Sequence, residues 1–147
     1  MIIVAIYLIN DPFKVLYHYD AYAPPDAIAA VNLNDDFVAT EVFLNNYRKY
    51  NYDSYIFGNS RAKTFHINEW ERHISSANCF QYAVSNESLY GVEKKIELLD
   101  AHGIVMKNAL IVMDHFLYGQ VSENPAFPKH PILSGKSMFQ FQLNRVC

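Results

Sequence analysis

A serine that follows a short apolar run and a glycine is the residue of this chain best suited to covalent chemistry. In YDSYIFGNSR, residues 52–61, a β-branched and aromatic run ends at Gly58 and is followed by Asn59, Ser60 and Arg61. A serine one turn past a buried strand, at the start of a helix, has an exposed hydroxyl and backbone N–H groups nearby that can stabilise an oxyanion. Gly58 permits the sharp turn this requires. The chemistry would be acyl transfer with Ser60 as nucleophile; a turn serine that caps the next helix is the alternative. Arg61 would either bind an anionic group beside the site or pair with a surface carboxylate.

Such a serine needs a sheet beneath it, and the pattern of short apolar runs supplies one. Thr40–Tyr50 has apolar residues at helical spacing, with Thr40 as N-cap. Asp53–Phe57 reads as a strand buried on both faces, and Asn68 caps a helix over Glu69–Ile74. Cys79–Val84 is a second strand and Leu89–His102 an amphipathic helix with Leu89, Val92, Ile96 and Leu99 on one side, stopped by Gly103. Ala109–Met113 is a third buried strand. Beyond Asp114 a long loop with Pro125, Pro128 and Pro131 precedes one element over Met138–Leu143. Strands alternating with helices predict an α/β domain with a parallel, doubly wound sheet over residues 37–147, preceded by a leader over residues 1–36. Ligands bind such sheets beyond the carboxyl ends of the strands. The segments there are Gly58-Asn59-Ser60-Arg61, Ser85-Asn86-Glu87-Ser88 and Asp114-His115.

Together YDSYIFGNSRAKTF, ANCFQYAVSNESLYG and NALIVMD resemble the first three motif blocks of the SGNH (GDSL-like) hydrolase superfamily, in a bacterial branch with Gly-Asn/Ser-Ser-Arg in the first block. The resemblance implies a three-layer α/β/α fold with a flavodoxin-like sheet, incomplete at its C-terminus. It also implies a serine acyl-ester hydrolase or acyltransferase with Ser60 as nucleophile, acting on an acylated small molecule or envelope glycan. The Ser60 N–H would hold the oxyanion with that of Asn86, which stands where the family has glycine. Asparagine tolerates left-handed backbone well, so its N–H can still point correctly. The family's third block carries an asparagine donor where this chain has Asp114, which when ionised only accepts. Its last block, Asp and His three residues apart, has no counterpart between Asp114 and Cys147. His115 and His130 are the substitutes for the general base; otherwise the base lies beyond residue 147 and the chain reads as a fragment. The rival reading is a non-catalytic envelope assembly or binding protein that retains the fold.

Composition narrows the remaining classes. A chain of 147 residues with 51% hydrophobic and 18% charged residues suits one globular core. A net charge of −3 without a cluster of Lys or Arg gives no footprint for nucleic acid. With no GxxxxGK[ST] or GxGxxG, no cofactor is implied. Cys79 and Cys147 lack a CxxC partner, and Cys79 reads as a core residue. His66, Glu69 and His73 suggest a metal cluster only superficially, since His66 precedes the helix cap; a solvated surface explains them better. Phe65, Trp70 and the tyrosines suit core or interface more than a sugar platform. Met1–Ile9 (MIIVAIYLI) is too short to span a bilayer alone. It reads as the end of a membrane anchor, which would place the protein in the bacterial envelope, or as an element packed on a cytoplasmic domain. Oligomeric state is not encoded in any of these signals.

Overall fold

Asn34, Asp35 and Asp36 start the first helix of the domain. In the computed structural model, which describes residues 6, 8–11, 14, 16–17, 33–75, 77–124, 126–138 and 140–141, helix α1 spans Asp35–Tyr50. The Asn34 side chain accepts from the Phe37 N–H, the two aspartates occupy the positive end of the helix dipole, and Arg48 and Lys49 the negative end. Thr40, expected as the cap, is instead buried inside the helix, where its hydroxyl accepts from the Tyr82 hydroxyl at 2.9 Å.

The central strand β1 (Ser54–Gly58) is buried at all five residues, as its composition predicts. It lies between β2 (Cys79–Gln81) and β3 (Asn108–Val112), and all three run parallel in the order β2-β1-β3. Tyr55 stands opposite Phe80 and Ala109. Past Gln81 the pairing continues through Tyr82 N–H to Ile56 O at 2.8 Å and Val84 N–H to Gly58 O at 3.1 Å. The chain leaves β1 toward one edge and crosses back to the other, so connections of one hand lie on opposite faces. On one face Tyr55, Phe57 and Tyr82 pack with Phe43 of α1 and with Val92 and Leu99 of α3 (Leu89–Ala101; the intervening α2 is Ile67–Trp70). On the other, Ile56 and Ala83 meet Ala62 and the α2 residues Ile67 and Trp70. This is the doubly wound α/β arrangement.

Several elements depart from expectation. The segment after β1 is not one helix capped by Asn68: α2 starts at Ile67 with no side-chain cap, and Glu71–His73 continue it as a 3-10 turn. β3 is not buried on both faces. It is an edge strand, so Ala109 and Ile111 are exposed while their neighbours are half-buried. The stretch beyond β3 is not loop alone, since it forms α4 (His115–Gly119) and α5 (Pro131–Ser134). Most of Met1–Ile9, and Cys147, lie outside the described residues, among which no helix is long and apolar enough to cross a membrane.

Four charges are sealed where α1, α3 and the segments before α3 and α5 meet. Lys95 is 0% exposed, and Asp36, Glu87 and Lys129 are buried with it. Each ammonium touches both carboxylates: Asp36 lies 3.1 Å from Lys95 and 3.2 Å from Lys129, and both lysines also pair with Glu87. Asp36 further accepts from the His130 N–H at 3.0 Å and Glu87 from the Ser88 N–H at 2.9 Å, while Lys95 donates to Tyr82 O at 3.3 Å. The signs alternate and the sum is zero, so no buried ion is left uncompensated. Burial pushes the Asp36 carboxyl up, but Lys95 and Lys129 outweigh it and hold the group at about 2. For Lys129, burial lowers the value and Asp36 and Glu87 more than restore it, leaving it above the usual lysine range.

Asp36 therefore adds stability that is fully present above its unfolded value of 3.8 and is lost as pH falls toward 2. Lys129 adds stability that is present below its unfolded value of 10.5 and is lost as pH rises through its raised value. Urea unfolding across pH should show a plateau with an acid limb of about 2 kcal/mol from Asp36 alone; a flat acid limb would contradict the pairing. Gly91 supplies a second check. A Cβ there would stand 2.1 Å from Glu87 Oε1 and 2.6 Å from Lys129 Nζ, both held in place by the other charges. Gly91→Ala should lower the melting temperature by roughly 5–10 °C, where helix propensity alone would raise it.

Candidate functional site

At the carboxyl end of β1 the chain turns at Gly58, whose φ of +143° disfavours any side chain; a Cβ would also lie 2.9 Å from Val112 O. Asn59 closes the turn. Its carbonyl accepts from the Ala62 N–H at 2.9 Å, its Oδ1 from the Arg61 N–H at 3.0 Å, and its Nδ2 donates to Asp114 Oδ2 at 2.8 Å. The Arg61 guanidinium reaches the same Asp114 oxygen at 2.9 Å, so Arg61 does pair with a carboxylate, although its side chain stays 63% exposed. The other Asp114 oxygen caps α4 by accepting from the Leu117 N–H at 2.9 Å. One carboxylate thus ties the turn after β1 to the helix after β3. The Asn59 hydrogen bond above all, then the Leu117 N–H and Arg61, holds its carboxyl below the ordinary aspartate range.

Ser60 is left over from this arrangement. It is exposed, and neither its hydroxyl nor its N–H has a hydrogen-bond partner among the described residues. It caps nothing: the 3-10 turn Ala62–Thr64 has Arg61 at its cap position and no side-chain cap. Facing it in the same hollow, Asn86 has φ +54°, the left-handed conformation expected of it, and its N–H also lacks an acceptor among the described residues. The loop is pinned on either side of Asn86. Ser85 Oγ donates to Asp35 at 2.6 Å and accepts from Lys63 at 3.1 Å, and Glu87 belongs to the buried charge cluster.

Asn59, Ser60, Arg61, Asn86 and Asp114 accordingly line one hollow of about 240 Å³. Glu87, Phe116 and Gln120, to which the sequence assigns no role, complete it. Ser60 and Asn86 bring to it a serine hydroxyl and two backbone N–H groups that have no acceptor among the described residues. Among the described residues no imidazole lines it. His115 is exposed, with its ring 4.0 Å from that of Phe116, and does not line the hollow. His130 is buried, with Nε2 2.9 Å from Glu41 Oε1 and its ring against Phe37. Elsewhere, His66, Glu69 and His73 are exposed, and among the described residues no group of three or more His, Cys, Asp or Glu is arranged to hold a metal. Cys79 is a buried free thiol, pushed up to about 11 mainly by burial, as befits a core residue.

A serine with no bonds to lose can be removed at no structural cost. Ser60→Ala should leave the unfolding free energy within about 0.5 kcal/mol of the parent. Asn59→Ala, which removes two side-chain hydrogen bonds at a buried position, should lower it by about 1–3 kcal/mol. A comparable loss for Ser60→Ala in urea titration would make Ser60 a structural residue. Comparison with family models, with curated proteins and with solved structures found no match to this chain.

Proposed function

We propose that this chain is an SGNH-like serine acyl-ester hydrolase or acyltransferase, with Ser60 as nucleophile, acting on acylated glycans of the bacterial envelope. The observation that carries the reading is the unengaged state of Ser60: hydroxyl and N–H are both free among the described residues, at the end of the central strand, in a hollow that Asn86 also lines. Ser60 Oγ would attack the ester carbonyl, the negative charge would rest on the two amides, and the alcohol would leave. Water or a second alcohol would then take the acyl group.

The proton of Ser60 needs an acceptor. Glu87 and Asp114 are the carboxylates of the hollow, and both are ion-paired, Asp114 with its carboxyl held low; a group that weakly basic is a poor general base near neutral pH. The reading therefore requires an imidazole from outside the described residues. That requirement favours a second reading, a non-catalytic envelope assembly or binding protein with the same fold.

A fluorophosphonate probe separates the two. The enzyme reading expects one label per chain, on Ser60, lost in Ser60→Ala together with hydrolysis of acetyl esters. Absence of labelling, with ester turnover unchanged by Ser60→Ala, would establish the non-catalytic reading.

A further inference from the structure

Ser60 owes its backbone geometry to the residue before it. The Asn59 carbonyl accepts from the Ala62 N–H at 2.9 Å, and because a peptide group is planar with its C=O and N–H opposed, the Ser60 N–H is aimed the other way. The next peptide group is fixed by the same residue, since its N–H, that of Arg61, donates to Asn59 Oδ1 at 3.0 Å. Both peptide groups that flank Ser60 are therefore set by Asn59. That side chain is buried, and its Nδ2 donates to Asp114 Oδ2 at 2.8 Å.

The polarity of these bonds is fixed along the whole chain. The Arg61 N–H donates to Asn59, Asn59 donates to Asp114, and the Leu117 N–H donates to the other Asp114 oxygen. Residue 114 must accept on both sides, as an ionised carboxylate does. The same polarity is met by an exchange of the two residues: an aspartate at 59 accepts from the Arg61 N–H and from residue 114, while an asparagine at 114 donates to it and caps α4 with its oxygen. Either half of the exchange alone sets acceptor against acceptor or leaves a donor without an acceptor. The Arg61 guanidinium also reaches Asp114, but on an exposed side chain that ion pair is screened by water.

We infer that Asp114 is a positioning residue for Ser60: through the Asn59 side chain it orients the two peptide groups between which Ser60 is held. The expected effect on rate rests on the reading of Ser60 as nucleophile; the orientation does not. Asp114 lines the hollow beside Ser60, yet its oxygens are engaged by Asn59, Arg61 and the Leu117 N–H, so its part is to hold the turn and not to exchange protons. A displacement on the order of 1 Å at a reacting group can lower a rate about a hundredfold.

The test uses the full chain with Asp114→Ser, with Asn59→Asp, and with the exchange Asn59→Asp plus Asp114→Asn. A serine at 114 keeps a cap for α4 but is one bond too short to hold Asn59. Motion of the Ser60 and Arg61 amides is read by NMR relaxation, and the reaction of Ser60 by the saturation kinetics of fluorophosphonate labelling. Order parameters of about 0.85 in the parent should fall below about 0.6 in both single variants and return in the exchange. The maximal labelling rate should fall roughly 10- to 100-fold in the single variants, with the half-saturating concentration little changed, and recover in the exchange. Amides as ordered in Asp114→Ser as in the parent, an exchange as mobile as Asn59→Asp, or labelling rates that do not follow the change in motion would overturn the inference. A parent that takes no label sinks the enzyme reading alone, and the relaxation of the four proteins then decides this inference.

Discussion

Taking a charged side chain out of water costs several kcal/mol, and this domain does so four times in one place. Asp36, Glu87, Lys95 and Lys129 recover that cost only together, because each ammonium touches both carboxylates. Their carriers are α1, the segment before α3, α3 itself and the segment before α5. None of these can leave without stranding the other three charges in a dry interior. The cluster also reaches the surface hollow, since Glu87 follows Asn86 directly and lines the hollow itself. The left-handed Asn86 is thus anchored directly to the buried charge cluster.

The hollow divides its polar groups into two kinds. Asn59 and Asp114 are saturated by each other, by the Arg61 and Ala62 amides and by the start of α4, so the turn after β1 has one geometry. Ser60 and the Asn86 amide have no partner among the described residues, and both residues line the hollow. The hollow thus combines a fixed turn with polar groups that the described residues leave unpaired. Its position agrees with the topology. Connections leave β1 toward both edges of the sheet, and a crevice opens where they diverge, at the carboxyl ends of the strands.

The parts legible in the sequence are those with a local cause. β1 declares itself by five consecutive residues suited to two-sided burial, α3 by its apolar stripe and the Gly103 stop, and the Ser60 turn by Gly58-Asn59. The left-handed Asn86 was legible from asparagine's tolerance of that conformation at a position where the resemblance expects glycine. Non-local causes stayed hidden. Thr40 looked like a cap because its partner Tyr82 lies 42 residues away, and the stronger start signal, Asn34-Asp35-Asp36, stood in a stretch read as leader. Lys95 sits between Val92 and Leu99 on the buried side of α3, a lysine on an apolar stripe that could have been noticed. Lys129, within a proline-rich run, carried no such signal. His115 and His130 looked alike as bases until packing turned one outward and committed the other to Glu41.

The charge cluster also imposes an order on how the chain can assemble. Asp36 and Lys129 are 93 residues apart, so during synthesis Asp36, Glu87 and Lys95 emerge first and carry an uncompensated negative charge. A nascent chain in that state can form α1 and α3 and collapse its aromatic residues, but it cannot dry the interface between them. The short segment that delivers Lys129 acts as a latch. Until Lys129 has emerged, the cover over the apolar central strand holds a carboxylate charge that nothing balances.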